Sequence, residues 1–392
     1  SGAQLLSSAS GSGSGGVITI DAGQVRLSGV HPQRFSTGGP QTLAISAIAS
    51  QTLGSAAAGR VEISAGSLEV LDGARISTQT YGSGNGGSIG IDAGSVRVSG
   101  WNPLATDLLL SQGTDPRIAQ WSGSSLVTAD ASSTGPAVTG RAGDVRIDAS
   151  GIEVSERGRI MSGTMGSGAG GRVTLNGQRI VLSSGGEIAA RSTGTGSAGN
   201  IEISASERFE SYGGAVSTES DLAGGGSITF EVGELFHLLD SAVTTSVRGG
   251  GGDAGNITVD PQFVVLNNSR IVANAYGGAG GNIRIVAEHF FASTDSRVEA
   301  SSELGIDGTV EIDAPQNEIG QGLENLNGDF LDAASLLPRQ CGTGARGSTG
   351  SFTLAGTGTM PPDPDMPLIG SYAALLADDM QSYSGAPSTI TR

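Results

Sequence analysis

The side chains in this chain that could do chemistry are few and widely spaced. Carboxylates recur just after a short apolar–x–apolar phrase, at Asp21, Asp92, Asp148, Asp260 and Asp313. Two carboxylates converging on one face are what glycoside cleavage needs, one as acid and one as base or nucleophile. Elsewhere, however, the same slot holds Ser64, Asn176, Ser204, Glu231 and Val286. That mixture of Asp, Ser and Asn is what turns select for bonding to their own backbone. No catalytic residue is assigned, and an enzyme is not expected. His31, His237 and His289 share no metal-ligand spacing, and the last two stand beside Phe236 and Phe290. They read as structural histidines and not as a zinc site. Residues 249–253 resemble one calcium-binding nonapeptide, but such sites need tandem copies. No metal or other cofactor is expected, calcium being the one ion left open. None of the glycine runs leads into Gly-Lys-Ser/Thr, so none is a phosphate loop. No nucleophile-elbow pattern appears either.

The composition points away from a compact enzyme. Glycine supplies 66 of 392 residues and aromatics only 4%, against a usual glycine content of roughly 7%. The net charge is −17, and every one of the 21 basic residues is arginine. Such a chain repels nucleic acid and anionic lipid, and its scattered acids serve solubility. No apolar run approaches the roughly 20 residues of a membrane-spanning helix. Cys341 is the single cysteine, which excludes an internal disulfide. The start at Ser1, in a Gly/Ser-rich stretch, reads as a mature or truncated piece of something longer.

What must position any site is a repeat. The phrase Gly–x–apolar–x–apolar occurs ten times, for example GRVEISA from Gly59, GNIEISA from Gly199 and GTVEIDA from Gly308. Its leading glycines are Gly16, Gly59, Gly87, Gly143, Gly171, Gly199, Gly226, Gly255, Gly281 and Gly308. Seven of the nine intervals lie within two residues of 28. Behind each phrase come a polar turn, a second strand such as Leu68-Glu69-Val70, and a third such as Ala74-Arg75-Ile76-Ser77. Period-2 alternation means that one face of each strand is buried. Three short strands per repeat, none able to make a core alone, describe a coil of a parallel β-solenoid. The predicted architecture is all-β, about ten coils of ~27–28 residues over 16–314. Ile18, Val61, Ile89, Val145 and their successors down to Val310 form one interior column. Ile20, Ile63, Ile91 and their successors down to Ile312 form the next. Residues 1–15 form a Gly/Ser-rich leading segment, and 315–392 an irregular cap with a Pro-rich linker and a tail. Within it, 329–337 and 371–380 suggest short helices and 351–354 a strand.

The two long intervals place insertions near 29–42 and 100–124, both between second and third strands, so both project from the same side. The second insertion contains Trp101, Leu108, Leu109, Leu110 and Trp121. Two readings stay open for these residues: a cover for the flank of the solenoid, or a contact surface for a sugar or protein partner.

Together, the repeats and the segment CGTGARGSTGSFTLAGTGTMPPDP (341–364) resemble filamentous-haemagglutinin-like exoproteins of Gram-negative bacteria, including cyanobacteria. Cys341, Arg346, Ser351, Phe352, Gly356, Gly358, Pro361, Pro362 and Pro364 match the signature that often closes that family. Thr357 and Thr359 stand where Arg or Gly is usual. The resemblance implies a right-handed parallel β-helix exported by two-partner secretion through an outer-membrane transporter, which would be its partner. It implies a secreted or cell-surface adhesin or matrix protein, meeting a glycan or protein of a host or neighbouring cell. The family's N-terminal secretion domain is not among these residues. Two other readings stand beside this one: a carbohydrate-active β-helix enzyme, and a purely structural filament subunit that self-associates.

Overall fold

A computed structural model describes residues 3–33, 42–103, 107, 124–131 and 139–315. The chain divides into a unit Ser1–Gly322 and a second, Leu323–Arg392. The second unit, with the cap, linker and tail expected there, lies outside the described residues.

All ten phrases are strands, and they stack parallel in the expected register. Ile18 pairs beside Val61, and the column continues through Ile89, Val145, Val173, Ile201, Ile228, Ile257 and Ile283 to Val310. The column headed by Ile20 runs beside it to Ile312. Over most of their length both columns are dry; Val61, Ile147 and Val259 are fully buried. The chain is an all-β parallel solenoid with two long walls, a 13-stranded sheet and a ten-stranded sheet. β-Branched side chains suit so thin a core because their rotamers are already restricted.

The walls differ from the three-strand expectation in one respect. In six coils the first and second strands run on as one, as in Val61–Leu71, Ile89–Ser99 and Val145–Ser155. The connectors there are small, such as Ala65-Gly66 and Ala93-Gly94, so the backbone stays extended and keeps pairing through the bend. Ile201–Tyr212 carries one residue more, absorbed as a register shift opposite Gly177 and Arg179. From Ile228 onward the strands separate, for example Ile257–Asp260 from Phe263–Asn267. Pro261 in that connector has no N–H to give the ladder.

The third strands build the second wall. Gln4–Ala9 heads it by pairing with Ala47–Thr52, so part of the leading segment belongs to the solenoid. Ile48, Ile76, Val127, Ile160 and Ile188 point inward. Two residues further on lies an interior column of hydroxyls interrupted by Ala129, Ala190 and Ala273. Thr78, Ser162 and Thr245 are buried and donate to the carbonyls of the leading glycines Gly87, Gly143 and Gly255, at 2.9, 2.8 and 2.6 Å. Thr78 and Thr245 thereby tie the end of their coils to the corner that begins the next phrase, while Ser162 bonds the glycine of its own phrase and accepts from the N–H of Gly171, which begins the next. These bonds also satisfy polar groups that would otherwise be costly to bury. The leading glycine is obligatory for a related reason. A methyl group at Gly199 would fall on the carbonyl oxygen of Gly171 in the coil before, and one at Gly87 on that of Gly59.

Both insertions leave the solenoid between second and third strands. At the first, Val30–Gln33 pairs antiparallel with Thr42–Ile45. At the second, Trp101 forms an antiparallel bridge with Ser124 just before Leu126–Ala131.

Candidate binding surface

The outward positions of the second strands change character along the rod. In the early coils they carry opposite charges on adjacent rungs: Arg26 pairs with Glu69 and Arg97 with Glu153, each at 3.5 Å. Exposed pairs of this kind contribute little to stability, but they keep the face hydrated. In the last coils the same positions hold Leu235, His237, Phe263, Val265, His289 and Phe291. The Phe263 and His289 rings lie 4.9 Å apart and those of His289 and Phe291 6.3 Å apart, with planes inclined by 20° in each pair. Tyr212 meets His237 edge-on at 5.5 Å. Phe291 is 47% exposed.

The inward residues of the same and the preceding strands fix this orientation. Phe209, Phe230 and Phe236 are fully buried and form an aromatic trio with centroid distances of 4.9–5.4 Å. With Phe236 inward, alternation turns His237 outward; with Phe290 packed against the core, His289 and Phe291 face out. Beside the rings, Asp260, Pro261, Gln262, Glu288 and Asp313 line an open depression. Gln262 Nε2 donates to Glu288 Oε2 at 3.0 Å.

A second notable surface is the outer face of the ten-stranded wall. Arg159 pairs with Glu187 at 3.3 Å, and Glu187 also meets Arg191. Arg191 reaches Glu219 at 3.5 Å, and Glu219 reaches Arg248 at 3.1 Å. Among these charges Leu126, Met161 and Ala189 form a small buried apolar cluster of their own. On the same face burial pushes the Asp130 carboxyl up to about 6. The nearby Thr128 hydroxyl, the Arg75 charge, and the Gln79 and Gly163 donors oppose this shift only in part. Desolvation lowers Arg75 and Arg159 from their ordinary value.

The acidic slot behind the first strands does line up as one column. Asp21, Ser64, Asp92, Asp148, Asn176, Ser204, Glu231 and Asp260 follow one another rung by rung. Asp92 and Asp148 are therefore neighbours. Asp148 accepts from Asn176 Nδ2 at 2.7 Å and from Arg146 at 2.7 and 2.9 Å. Desolvation raises its pKa, but these bonds and the Arg146 charge outweigh that and leave it below the ordinary value. A carboxyl held ionised in this way is a poor proton donor at neutral pH.

Of the insertion residues singled out in the sequence, Trp101 is described: the Arg157 guanidinium lies 4.7 Å from its ring centre. Leu108, Leu109, Leu110 and Trp121 lie outside the described residues. Among the described residues no group of three His, Cys, Asp or Glu is arranged to hold a metal ion. No described helix is long and apolar enough to cross a membrane. Sequence reasoning missed the Phe263–His289–Phe291 row because it grouped each histidine with its phenylalanine neighbour. The available signal was parity along the strand, which sends the two to opposite faces.

Comparison of the chain with protein-family models, with curated proteins and with solved structures gives no match. The likeness to filamentous-haemagglutinin-like proteins rests on the sequence motifs alone.

Proposed function

We propose that this chain is the stem of an exported adhesin or extracellular matrix protein of the filamentous-haemagglutinin type. It works without catalysis, as a stiff rod that holds weak contact sites at fixed spacing, so that several engage one surface together. One observation carries the reading: within an unbroken solenoid, the second-strand face passes from ion-paired rungs to partly exposed, stacked aromatic rungs. A protein gains nothing in stability by exposing rings it could bury, and a rimmed apolar patch of this kind marks a contact surface. The 341–364 motif supports export by two-partner secretion, with an outer-membrane transporter as partner and a place on or outside the cell.

The test is binding of the purified chain to neighbouring cells and to panels of glycans and surface proteins. Saturable binding supports the proposal; its absence, with end-to-end fibres in electron micrographs, would replace it with a filament subunit. The adjacency of Asp92 and Asp148 favours a second reading, a polysaccharide lyase or hydrolase. Release of reducing ends from acidic polysaccharides, abolished by Asp92→Asn or Asp148→Asn, would establish that reading and defeat ours.

A further inference from the structure

We infer that the aromatic face of the last coils, with the carboxylates at its edge, is a subsite for a positively charged saccharide, an amino-sugar polymer. The inference rests on the adhesin reading and names its ligand chemistry. Three features of the face select this occupant.

The first is what the face withholds. Phe263–Asn267 already pairs with Leu235–Leu239 on one side and His289–Ala292 on the other. Its backbone donors and acceptors are spent along the ladder. A peptide strand that augments a sheet needs a free edge; among the described strands of this wall His289–Ala292 keeps one, since it pairs with Phe263–Asn267 alone, but that edge lies in the plane of the sheet and not on the ring face. A ligand lying on the ring face itself is held by side chains.

The second is the shape and chemistry of those side chains. Phe263, His289 and Phe291 share nearly one ring orientation, inclined by 20° from one pair member to the next. They form a low terrace and not a closed pocket. A pyranose ring has one apolar C–H face that packs on such rings, while its hydroxyls stay at the rim in water. An enclosed apolar ligand would instead demand a cavity that buries most of its surface.

The third is charge. Asp260, Glu288 and Asp313 line the depression beside the terrace. Two arginines of the neighbouring rungs are engaged elsewhere, Arg208 with Glu234 at 3.9 Å and Arg284 with Glu311 at 3.5 Å. Glu288 accepts from a neutral donor, Gln262. In a chain of net charge −17, this edge favours ammonium groups and repels uronic or sulfated sugars. An amino sugar offers the C–H face and the ammonium at once.

The experiment uses the full chain and a soluble hexamer of β-1,4-linked glucosamine as probe, with the N-acetylated hexamer, a neutral glucan hexamer and oligolysine as comparators. Calorimetry is expected to show saturable binding of the glucosamine hexamer, at least tenfold tighter than of the N-acetylated form. Phe291→Ala and Phe263→Ala are expected to weaken it at least tenfold. Glu288→Gln should weaken it severalfold and flatten its salt dependence. Phe291 is half-exposed, so its removal leaves the fold intact, and unchanged melting of the variant verifies this. Equal binding of the N-acetylated or neutral hexamer would overturn the charged-ligand inference. Oligolysine binding as tightly, and surviving Phe291→Ala, would reduce the site to an acidic patch. Cell adhesion with no hexamer binding would sink this inference alone, whereas no binding to cells or to any glycan would sink the adhesin reading with it.

Discussion

Two glycine-to-alanine substitutions, one fatal to packing and one harmless, put the stacking geometry to a direct test. Gly199 leads the phrase at Ile201–Tyr212, and Gly151 lies in the outward row of Val145–Ser155. A methyl group at Gly199 would fall on the Gly171 carbonyl oxygen and sit 2.7 Å from its carbon and 3.1 Å from the Gly170 carbonyl carbon. All three are backbone atoms, so no side-chain rotation relieves the overlap. Either the rungs part from their ~4.8 Å spacing or the phrase shifts off its column. Overpacking of this kind costs about 1–3 kcal/mol. A methyl group at Gly151 meets nothing within 4 Å, and the residue does not have positive φ. Alanine there is expected to be neutral or to stabilise by about 0.4–1 kcal/mol, through the unfolded chain. That unfolded-state term is common to both variants, so the gap between them, about 1–3 kcal/mol, isolates the clash. The assay is denaturant unfolding followed by circular dichroism, with amide exchange to localise the loss. A solenoid is stabilised by nearest neighbours, so Gly199→Ala should loosen the coils on either side of residues 171–199 before the rest. Coincident unfolding curves for the two variants would refute the close backbone approach, and with it the explanation of why the phrases stacked on a preceding one, from Gly59 to Gly308, begin with glycine.

Ile203→Asp places an unpaired carboxylate between Leu175 and Phe230 in a dry column and should cost several kcal/mol; unchanged melting would mean that residue 203 faces outward. Thr218→Val keeps the shape of the side chain but removes the 2.5 Å bond to the Gly226 carbonyl, for an expected loss of about 1 kcal/mol in denaturant midpoint terms; no shift would show that the hydroxyl column is not holding the corner. Asp130→Asn tests the charged face. The folded Asp130 carboxyl sits at about 6, above its ordinary 3.8, so the folded chain retains a proton that the unfolded chain releases. The stability this supplies is complete below pH about 4 and is lost as pH rises through about 6, by up to about 3 kcal/mol. The parent should therefore weaken against Asp130→Asn over that window, and parallel pH profiles would show that Asp130 titrates normally.

The interior of this molecule was legible from its sequence because the phrase states it redundantly. In GNIEISA the glycine marks the close backbone approach, and Ile201 and Ile203 mark the buried face. The 28-residue recurrence names the neighbour of each, so all ten rungs fell into the register that the structure has. The joining of first and second strands was not legible. Ala93-Gly94 and Pro261-Gln262 both look like turns, and only the ladder on either side decides that one bends while still paired and the other breaks. The binding face was hidden for a different reason. An outward position on a strand accepts Glu69 or Phe263 equally well, since neither has to fit a core, so alternation tells which side a residue takes and nothing about what it will meet. Phe263 and His289 are 26 residues apart and become neighbours only because one coil intervenes. Along the chain they look isolated; down the column, with His237 and Val265 beside them and Phe291 after, they form a surface. In a solenoid an outward side chain acquires its chemistry from the residues one period away, so the sequence has to be read at the spacing of the coil before any site on its surface can be recognised.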